Sequence, residues 1–308
     1  MERAATAGRW PARVLAGLFG SICLGLSVLG VGASAKAAES GDCDRACLKA
    51  IADEYFVALE KHDPSLLPLA AKVKFTENNA VLKLGEGHWK AGGKESFRME
   101  IFDPEQGGIG VEAVIPSATG PAPMLLRLKV ENRRITEIES IVVYKEGKDY
   151  FGAPQNLAGT KPSFYWTRTI RPSERDSRYQ LVATTEGYWR AFETEGTPQY
   201  VRAALLPDTV RLENGVQTTL ADVSGPNGFV KAATAAEAFD LGVFKGMKIA
   251  DRRYPVVDEE VGATLSMARF GDKPDAGVVG EFFAVNQGRI MQIHSIWRAP
   301  ATPGPTPW

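Results

Sequence analysis

The sequence predicts an α+β fold in which one small domain is used twice. An apolar pattern with helical spacing precedes a series of segments with the two-residue alternation of strands, and this order is typical of α+β proteins. The same order of patterns begins again in the C-terminal half of the chain. The 308 residues leave room for two domains of roughly 100–150 residues, each able to bury its own core.

The N-terminus has the three parts of a secretory signal. Three arginines precede an apolar stretch over residues 14–31, and the small residues that follow permit cleavage after Ala35 or Ala37. A retained membrane anchor is the alternative, but the stretch is rich in glycine and short of the ~20 strongly apolar residues that a stable span needs. We therefore expect residues 1–37 to be removed and the mature protein to be exported, to the periplasm or the medium, without a membrane attachment.

Net charge and cysteine content limit which binding partners and which cysteine chemistry are expected. Four basic residues and one acidic residue lie in the signal, so its removal changes the formal net charge from −1 to −4. A mildly acidic surface argues against nucleic acid as a partner. Cys43 and Cys47 remain, and in an oxidising compartment they could close a disulfide at the start of the first helix. Two free buried thiols are the alternative, and a metal site would need more ligands than this pair offers.

The first domain is expected over residues 38–147. Its opening helix is predicted from apolar residues at three- and four-residue spacing between Leu48 and Leu59. A helix or turn is predicted at residues 66–71, and residues 97–102 are interpreted as a polar stretch outside the sheet. Strands that form a curved antiparallel sheet are predicted at residues 73–78, 81–84, 109–115, 124–130 and 135–144.

The rest of the chain divides into a connection, a second domain and a tail. Residues 148–178 lose the periodicity and collect Gly, Pro, Ser and charge, as an interdomain connection does. The cluster at residues 164–166 is too apolar for a free linker and is expected to lie against one or both domains. The second domain is expected over residues 179–298. Residues 299–308 are rich in proline and are expected to be extended or disordered.

Three segments of the first domain recur in the same order in the second. The helix segment Tyr55–Glu60 matches Tyr188–Glu193. The strand segment Val73–Phe75, followed by Glu77 and Asn78, matches Val210–Leu212, followed by Glu213 and Asn214. The last strand segment, 135–141, matches 290–296. Three matches in one order indicate a duplicated domain. Two such copies could dock on each other within one chain as a homodimer would.

This order of elements resembles the nuclear transport factor 2-like superfamily, and within it the SnoaL-like branch of polyketide cyclases and ketosteroid isomerases. The helix from Cys43 to Tyr55, the strand at residues 75–78 and the loop at residues 87–89 together resemble a secreted group of that branch. The resemblance implies two cone-shaped domains, each with helices on a strongly curved sheet around a largely apolar pocket. It also implies acid/base chemistry on hydrophobic substrates without a cofactor, although other members only bind or dimerise, and fold alone does not decide function.

The three histidines restrict the candidates for proton transfer at neutral pH. His62 follows the first helix and is expected to be solvated. His88 lies in the loop before Trp89. His294 lies in the last strand, on the same face as Gln292; if that face lines the pocket, His294 is a general base, and if it is wet, His294 faces solvent.

Two matched pairs complete the catalytic candidates. Tyr55 and Tyr188 occupy corresponding helix positions, where a hydroxyl could donate to a developing oxyanion or could simply be a satisfied core group. Glu77 and Glu213 end corresponding strands, where a buried carboxylate could act as a base, or a turn-side glutamate could be solvated.

The remaining candidates are ligand contacts. They are Asn78, Trp89, Glu139, Trp189 and Asn214. We expect no metal and no nucleotide cofactor, because the sequence has neither a phosphate loop nor a spacing that suits a tetrahedral metal site. The prediction is a lyase or isomerase that acts on a hydrophobic, possibly aromatic, small molecule outside the cytoplasm; the alternative is a non-catalytic binding or assembly module. Convergence of the polar candidates on one pocket would favour the enzyme, and interiors filled with apolar side chains would favour the module.

Overall fold

The computed structural model describes residues 43–147, 150–220, 234–242 and 244–308. The predicted signal peptide lies outside these residues, so its removal stays a prediction. None of the helices in the described part of the chain combines the length and the apolar character that a membrane span requires. Helices and two six-stranded sheets make up the fold, which confirms the α+β class.

We call residues 43–147 the first half. Short 3₁₀ turns lie at Pro64–Leu66 and Gly87–Lys90. The helix and strands of the first half are α1 (Arg45–Glu60), β1 (Leu69–Glu77), β2 (Ala80–Val81), β3 (Phe97–Asp103), β4 (Gly108–Ile115), β5 (Ala122–Glu131) and β6 (Arg134–Val142).

We call residues 178–298 the second half. The connection before it carries the single-turn helix α2 (Phe164–Thr167) and 3₁₀ turns at Pro154–Asn156 and Pro172–Glu174. The elements of the second half are α3 (Arg178–Thr194), β7 (Leu205–Glu213), β8 (Val216–Gln217), α4 (Ala235–Asp240), β9 (Ile249–Asp258), β10 (Ala263–Phe270), β11 (Gly277–Asn286) and β12 (Arg289–Arg298).

The two sheets have the same strand order, β2-β1-β6-β5-β4-β3 and β8-β7-β12-β11-β10-β9. In each sheet one pair is parallel, β1 with β6 and β7 with β12, and the other pairs are antiparallel. The expectation of a purely antiparallel sheet is therefore wrong at that pair, and the cone shape stays a prediction. Registers also match, because Glu77 lies opposite Ser140 and Glu213 lies opposite Ser295.

Helix α1 begins where the sequence provides a cap. The side chain of Asp44 accepts a hydrogen bond from the backbone N–H of Cys47 at 2.9 Å, which satisfies one of the free donors of the first turn. Cys43 and Cys47 form a disulfide, with Cα atoms 5.2 Å apart. Cys43 precedes the cap, so the disulfide joins the residue before the helix to the first turn of α1.

Two element predictions are corrected. The segment at 66–71, predicted as a helix or turn, is not a helix: a 3₁₀ turn ends at Leu66 and β1 begins at Leu69. The segment at 97–102 is strand β3. Its side chains alternate between the apolar Phe97, Met99 and Ile101 and the charged Arg98 and Glu100, as they do in a strand.

Three apolar clusters fill the described part of the molecule. One lies between α1 and the first sheet, and one lies between α3, α4 and the second sheet. The third contains side chains of both sheets, for example Leu125 and Phe282, together with Trp166 of the connection. Each sheet is therefore covered on both faces, by helices on one side and by the other sheet on the opposite side.

Candidate functional site

The first half contains a buried polar group centred on Glu77. The carboxylate oxygen Oε2 accepts hydrogen bonds from both the backbone N–H and the ring Nδ1 of His88, each at 2.7 Å. The 3₁₀ turn makes this contact possible because Gly87 has φ +61°, and a Cβ atom at that position would lie 2.4 Å from Glu77 Oε2. A glycine is therefore required where the loop passes the carboxylate.

Two tyrosines extend this group in opposite directions. Tyr55 of α1 is fully buried, and its hydroxyl lies 2.8 Å from His88 Nε2. Tyr144, just after β6, donates its hydroxyl to Glu77 Oε1 at 2.8 Å. Together these side chains form a continuous chain of hydrogen bonds, Tyr55–His88–Glu77–Tyr144. We call it the tyrosine–histidine–glutamate chain.

The electrostatics of the chain favour an ionised Glu77. Burial disfavours its charge, but hydrogen bonds from His88 and Tyr144 outweigh burial and hold the pKa of Glu77 below its ordinary value. Beside the ionised carboxylate, Nδ1 of His88 is the donor to Glu77 Oε2, and the other ring nitrogen, Nε2, is hydrogen-bonded to the hydroxyl of Tyr55. Burial, together with the nearby charge of Glu77, raises the pKa of both Tyr55 and Tyr144. The chain thus holds a base at its centre and neutral donors at its ends.

An open cleft lies beside this chain at the junction of the two halves. Its volume is about 410 Å³. Tyr144, Tyr150, Phe151 and Trp297 supply aromatic walls, and the rings of Phe151 and Trp297 stack with centroids 5.8 Å apart. The other lining residues are Val143, Glu146, Gly147, Asn214, Arg298 and Ala299. A cleft of this size and character suits a hydrophobic, planar small molecule.

The second half has a different polar group at the corresponding position. Arg211 forms an ion pair with Glu213 Oε1 at 2.5 Å and donates to the hydroxyl of Tyr188 at 3.1 Å. Trp297, which also lines the cleft, donates its indole N–H to Glu213 Oε2 at 3.1 Å. Arg211 thus links Tyr188 to Glu213, and Arg211 was not among the predicted site residues.

Glu281 of β11 lies in the same interior. It is 3% exposed, and its Oε2 has no hydrogen-bond partner among the described residues. Burial raises the pKa of Glu281 to about 8, although the charge of Arg211 opposes the increase. Glu281 is thus a carboxyl group that the fold keeps protonated near neutral pH.

His294 does not join Tyr188 and Glu213, and the expectation of a shared pocket is corrected. His294 is buried on the opposite face of β12, where its Nδ1 lies 2.5 Å from Glu112 Oε2 of the first half. Its ring also meets Trp166 edge-on, with centroids 5.2 Å apart. The predicted alternation along the strand is correct, but the face of His294 is covered by the other sheet and not by a pocket or solvent.

The expected ligand contacts have structural partners instead. Asn78 clamps β1 to β6 through Val142, and Asn214 clamps β7 to β12 in the same way through Trp297; of the two, only Asn214 also lines the cleft. The other three are buried as well: Trp89 packs edge-on against Tyr55, Trp189 donates to Ser266, and Glu139 pairs with Arg127 and with Arg253 of the other half.

Two of the missed residues share one signal. Glu112 and Glu281 are single charges within otherwise apolar strands, and such a charge indicates a buried group. Arg211 lies in a strand that also carries Asp208 and Glu213, so this signal does not single it out. Tyr144 lies just beyond the end of β6, and its role follows only from the position of the cleft. His62, expected to be solvated, is exposed, and its Nδ1 lies 2.8 Å from the carbonyl oxygen of Trp89. Within the described ranges no cluster of three or more His, Cys, Asp or Glu side chains is arranged for a metal ion.

The fold and these buried groups define an α+β protein with two corresponding interiors, each built around one strand-end glutamate. A family model described as a domain of unknown function (DUF8021) matches residues 174–297. No curated protein matches the chain.

Solved structures resemble part of the chain at low identity. A proposed ketosteroid isomerase from Kribbella flavida DSM 17836 is 12% identical, covers 39% of this chain and 93% of its own, and has a TM-score of 0.27. A proposed polyketide cyclase from Xanthomonas campestris pv. campestris is 18% identical, with 39% and 92% covered and a TM-score of 0.25. IdmH, a proposed polyketide cyclase from Streptomyces antibioticus, is 20% identical, with 38% and 91% covered and a TM-score of 0.24.

Proposed function

We propose that this protein is a cofactor-independent isomerase or lyase that performs acid/base chemistry on a hydrophobic, aromatic small molecule outside the cytoplasm. The observation that carries the proposal is the position of Tyr144, which lines the aromatic cleft and donates its hydroxyl to the buried carboxylate of Glu77 at 2.8 Å. Only the side chain of Tyr144 then separates a ligand in the cleft from the ionised carboxylate of Glu77.

The chemistry needs no phenolate intermediate. As Tyr144 accepts a proton from the substrate at its oxygen, its own proton passes to Glu77 Oε1, so Tyr144 stays neutral. Return of the proton by the same route to a different substrate atom gives an isomer. Delivery of the proton to a departing group gives an elimination product. His88 holds the other carboxylate oxygen of Glu77, and Tyr55 fixes the ring of His88 from behind.

Deuterium exchange tests this function without knowledge of the natural substrate. Aromatic ketones, enones and β-hydroxy ketones are incubated with the purified protein in D₂O, and deuterium at acidic C–H positions is measured by mass spectrometry. We expect catalysed exchange for compounds that bind the cleft. We expect Glu77→Gln and Tyr144→Phe to lose at least about 100-fold in exchange rate, the scale of one general-base contribution.

Glu213→Gln is the matched control, because it changes the corresponding glutamate of the other half. We expect this variant to retain exchange, and ligand binding measured by tryptophan fluorescence to survive in all three variants. Exchange at the unmodified rate in Glu77→Gln would refute the assigned base. Loss of exchange in Glu213→Gln alone would move the chemistry to the second half.

Non-catalytic binding in the same cleft is the second candidate. It is favoured by His88, whose two ring nitrogens are both engaged and whose side chain is fully covered. Native mass spectrometry of the protein after incubation with hydrophobic metabolite extracts distinguishes the two. A compound that is retained unchanged, with no deuterium exchange in any bound ligand, supports binding without turnover.

A further inference from the structure

The aromatic cleft contains a positive charge that the proposed proton transfer does not use. Arg298 ends strand β12, is half-buried and lines the cleft together with Tyr144 and Trp297. Its guanidinium carbon lies 5.7 Å from the centroid of the Tyr144 ring. The other charged residue among the described lining residues is Glu146, which is exposed. Arg298 is therefore the cation that a ligand beside Tyr144 meets.

Main-chain oxygens hold Arg298 in place. Its Nη1 donates to the carbonyl oxygen of Val142 at 2.9 Å, and its Nε donates to that of Ala299 at 3.1 Å. Within the described ranges Arg298 forms no ion pair with a carboxylate, whereas Arg127 and Arg211 each do. A guanidinium group has five N–H donors, so these two bonds to neutral acceptors leave its charge and further donors for a ligand.

A carboxylate is the ligand group that matches this arrangement. Its two oxygens accept two parallel N–H bonds from a guanidinium fork, which gives the pair direction as well as strength. The same cleft provides aromatic walls from Tyr150, Phe151 and Trp297, of which the last two are stacked. A ligand with a flat ring and one carboxylate therefore finds a partner for each of its parts.

The charge of Glu77 makes this cation necessary for an anionic ligand. Glu77 is ionised behind Tyr144, so it repels an anion in the cleft unless a positive charge offsets it. Burial and the charge of Glu77 raise the pKa of Tyr144, and the charge of Arg298 opposes that increase. Arg298 thus acts on the same side chain as Glu77, with the opposite sign.

We propose that Arg298 binds a carboxylate group of the ligand, and that the cleft therefore selects planar aromatic compounds that carry a carboxylate. This inference rests on the proposed function in that it takes the cleft as the substrate site. Because Arg298 lies beside Tyr144, the bound carboxylate places the adjoining carbon atoms near the hydroxyl that contacts Glu77. Arg298 determines which compounds bind, whereas Tyr144 and Glu77 move the proton.

The test compares 2-naphthoate with 2-naphthamide, which share one ring system and nearly one shape but differ in charge. Their affinities are measured by isothermal titration calorimetry at neutral pH and low salt. We expect the unmodified protein to bind naphthoate at least about tenfold more tightly, the scale of one hydrogen bond to a charged group. Added sodium chloride should reduce this preference because it screens the charges.

Three variants assign the preference to one side chain. Arg298→Met removes the charge at similar length, and the carbonyl oxygen of Val142 keeps the side-chain amide of Asn78 as a donor at 3.2 Å, so we expect a folded variant, checked by circular dichroism. It should bind naphthoate no more tightly than naphthamide. Arg298→Lys keeps the charge without the fork and should be intermediate. Arg190→Met changes an exposed arginine of α3 and should keep the full preference.

Two readouts keep this inference separate from the proposed reaction. Equal affinities of the unmodified protein for the two compounds, no saturable binding of naphthoate, or an undiminished preference in folded Arg298→Met would each overturn the carboxylate site. Binding is measured without turnover, so Glu77→Gln should bind naphthoate at least as tightly as the unmodified protein while it loses deuterium exchange. Intact selectivity for naphthoate without exchange in any bound compound would refute the reaction and leave the carboxylate site standing.

Discussion

Replacement of Glu281 by glutamine should make the free energy of unfolding less dependent on pH. Glutamine has the size of the neutral acid but cannot ionise. Glu281 is almost fully buried, with one oxygen unpaired among the described residues, and burial raises its pKa to about 8 from an ordinary value of 4.5. The fold therefore binds a proton that the unfolded chain releases at much lower pH.

The sign of the effect follows from proton binding in the two states. Below pH 4.5 the carboxyl is neutral in both states and contributes no pH dependence. Between pH 4.5 and about 8 the folded state keeps the proton and the unfolded state loses it, so the free energy of unfolding falls as pH rises. At about 1.4 kcal/mol per pH unit, the full interval corresponds to about 5 kcal/mol, which is an upper bound for the loss.

Urea unfolding of the unmodified protein and of Glu281→Gln at pH 4.5, 6.5 and 8.5 measures this loss. We expect nearly equal stabilities at the lowest pH and an advantage of the variant that grows to several kcal/mol at the highest. Glu54→Gln, which changes an exposed glutamate of α1, is the control and should give no such trend. A difference between Glu281→Gln and the unmodified protein that is the same at all three pH values would refute the assigned protonation state.

Three further changes test other buried contacts. Tyr55→Phe leaves His88 Nε2 without its partner and should lower the free energy of unfolding by about 1–3 kcal/mol in urea titrations. His294→Ala leaves the buried Glu112 without its partner and should cost about 3–5 kcal/mol, while the deuterium exchange rate of the folded protein stays unchanged. Reduction of the Cys43–Cys47 disulfide should lower the melting temperature through about 2 kcal/mol of loop entropy.

Each of these predictions has its own control or contrary result. Tyr179→Phe alters a tyrosine that is 81% exposed and should be neutral, so an equal loss in both tyrosine variants would contradict the role of the buried bond. A double-mutant cycle of His294 with Glu112 should show a coupling above about 0.5 kcal/mol, and additive effects would contradict a direct pair. A melting temperature that is insensitive to reductant would contradict a stabilising disulfide.

The sequence named Tyr55, Glu77 and His88 as separate candidates, and their contact in the structure follows from local patterns. A helical stripe directs Tyr55 inward, and strand alternation and a glycine turn bring Glu77 to His88. Strand β3 was missed for the opposite reason: its charged residues were interpreted by composition, although Arg98 and Glu100 alternate with apolar residues. The two-residue alternation of apolar and charged residues in this segment predicts a strand, and it was a better signal than composition.

The position of His294 could not be predicted from its strand. Alternation showed which residues share its face, but both faces of β12 are buried, one by α3 and α4 and the other by the first sheet. The usual inference from an apolar face to the core and a polar face to water fails in that case. Only the packing of the two sheets brings Glu112 to His294, and their separation in sequence is 182 residues.

The comparison of the two strand-end glutamates indicates which half can move protons. Glu77 is held by His88 and Tyr144, both of which can donate and accept a proton. Glu213 is paired with Arg211, and although burial opposes the charge of that guanidinium, the adjacent carboxylate raises the pKa of Arg211 further. A group that never releases its proton neutralises a carboxylate but cannot relay for it. The proposed proton transfer is therefore assigned to the first half, while the second half holds an ion pair at the corresponding position, which is why the two glutamine variants should behave differently.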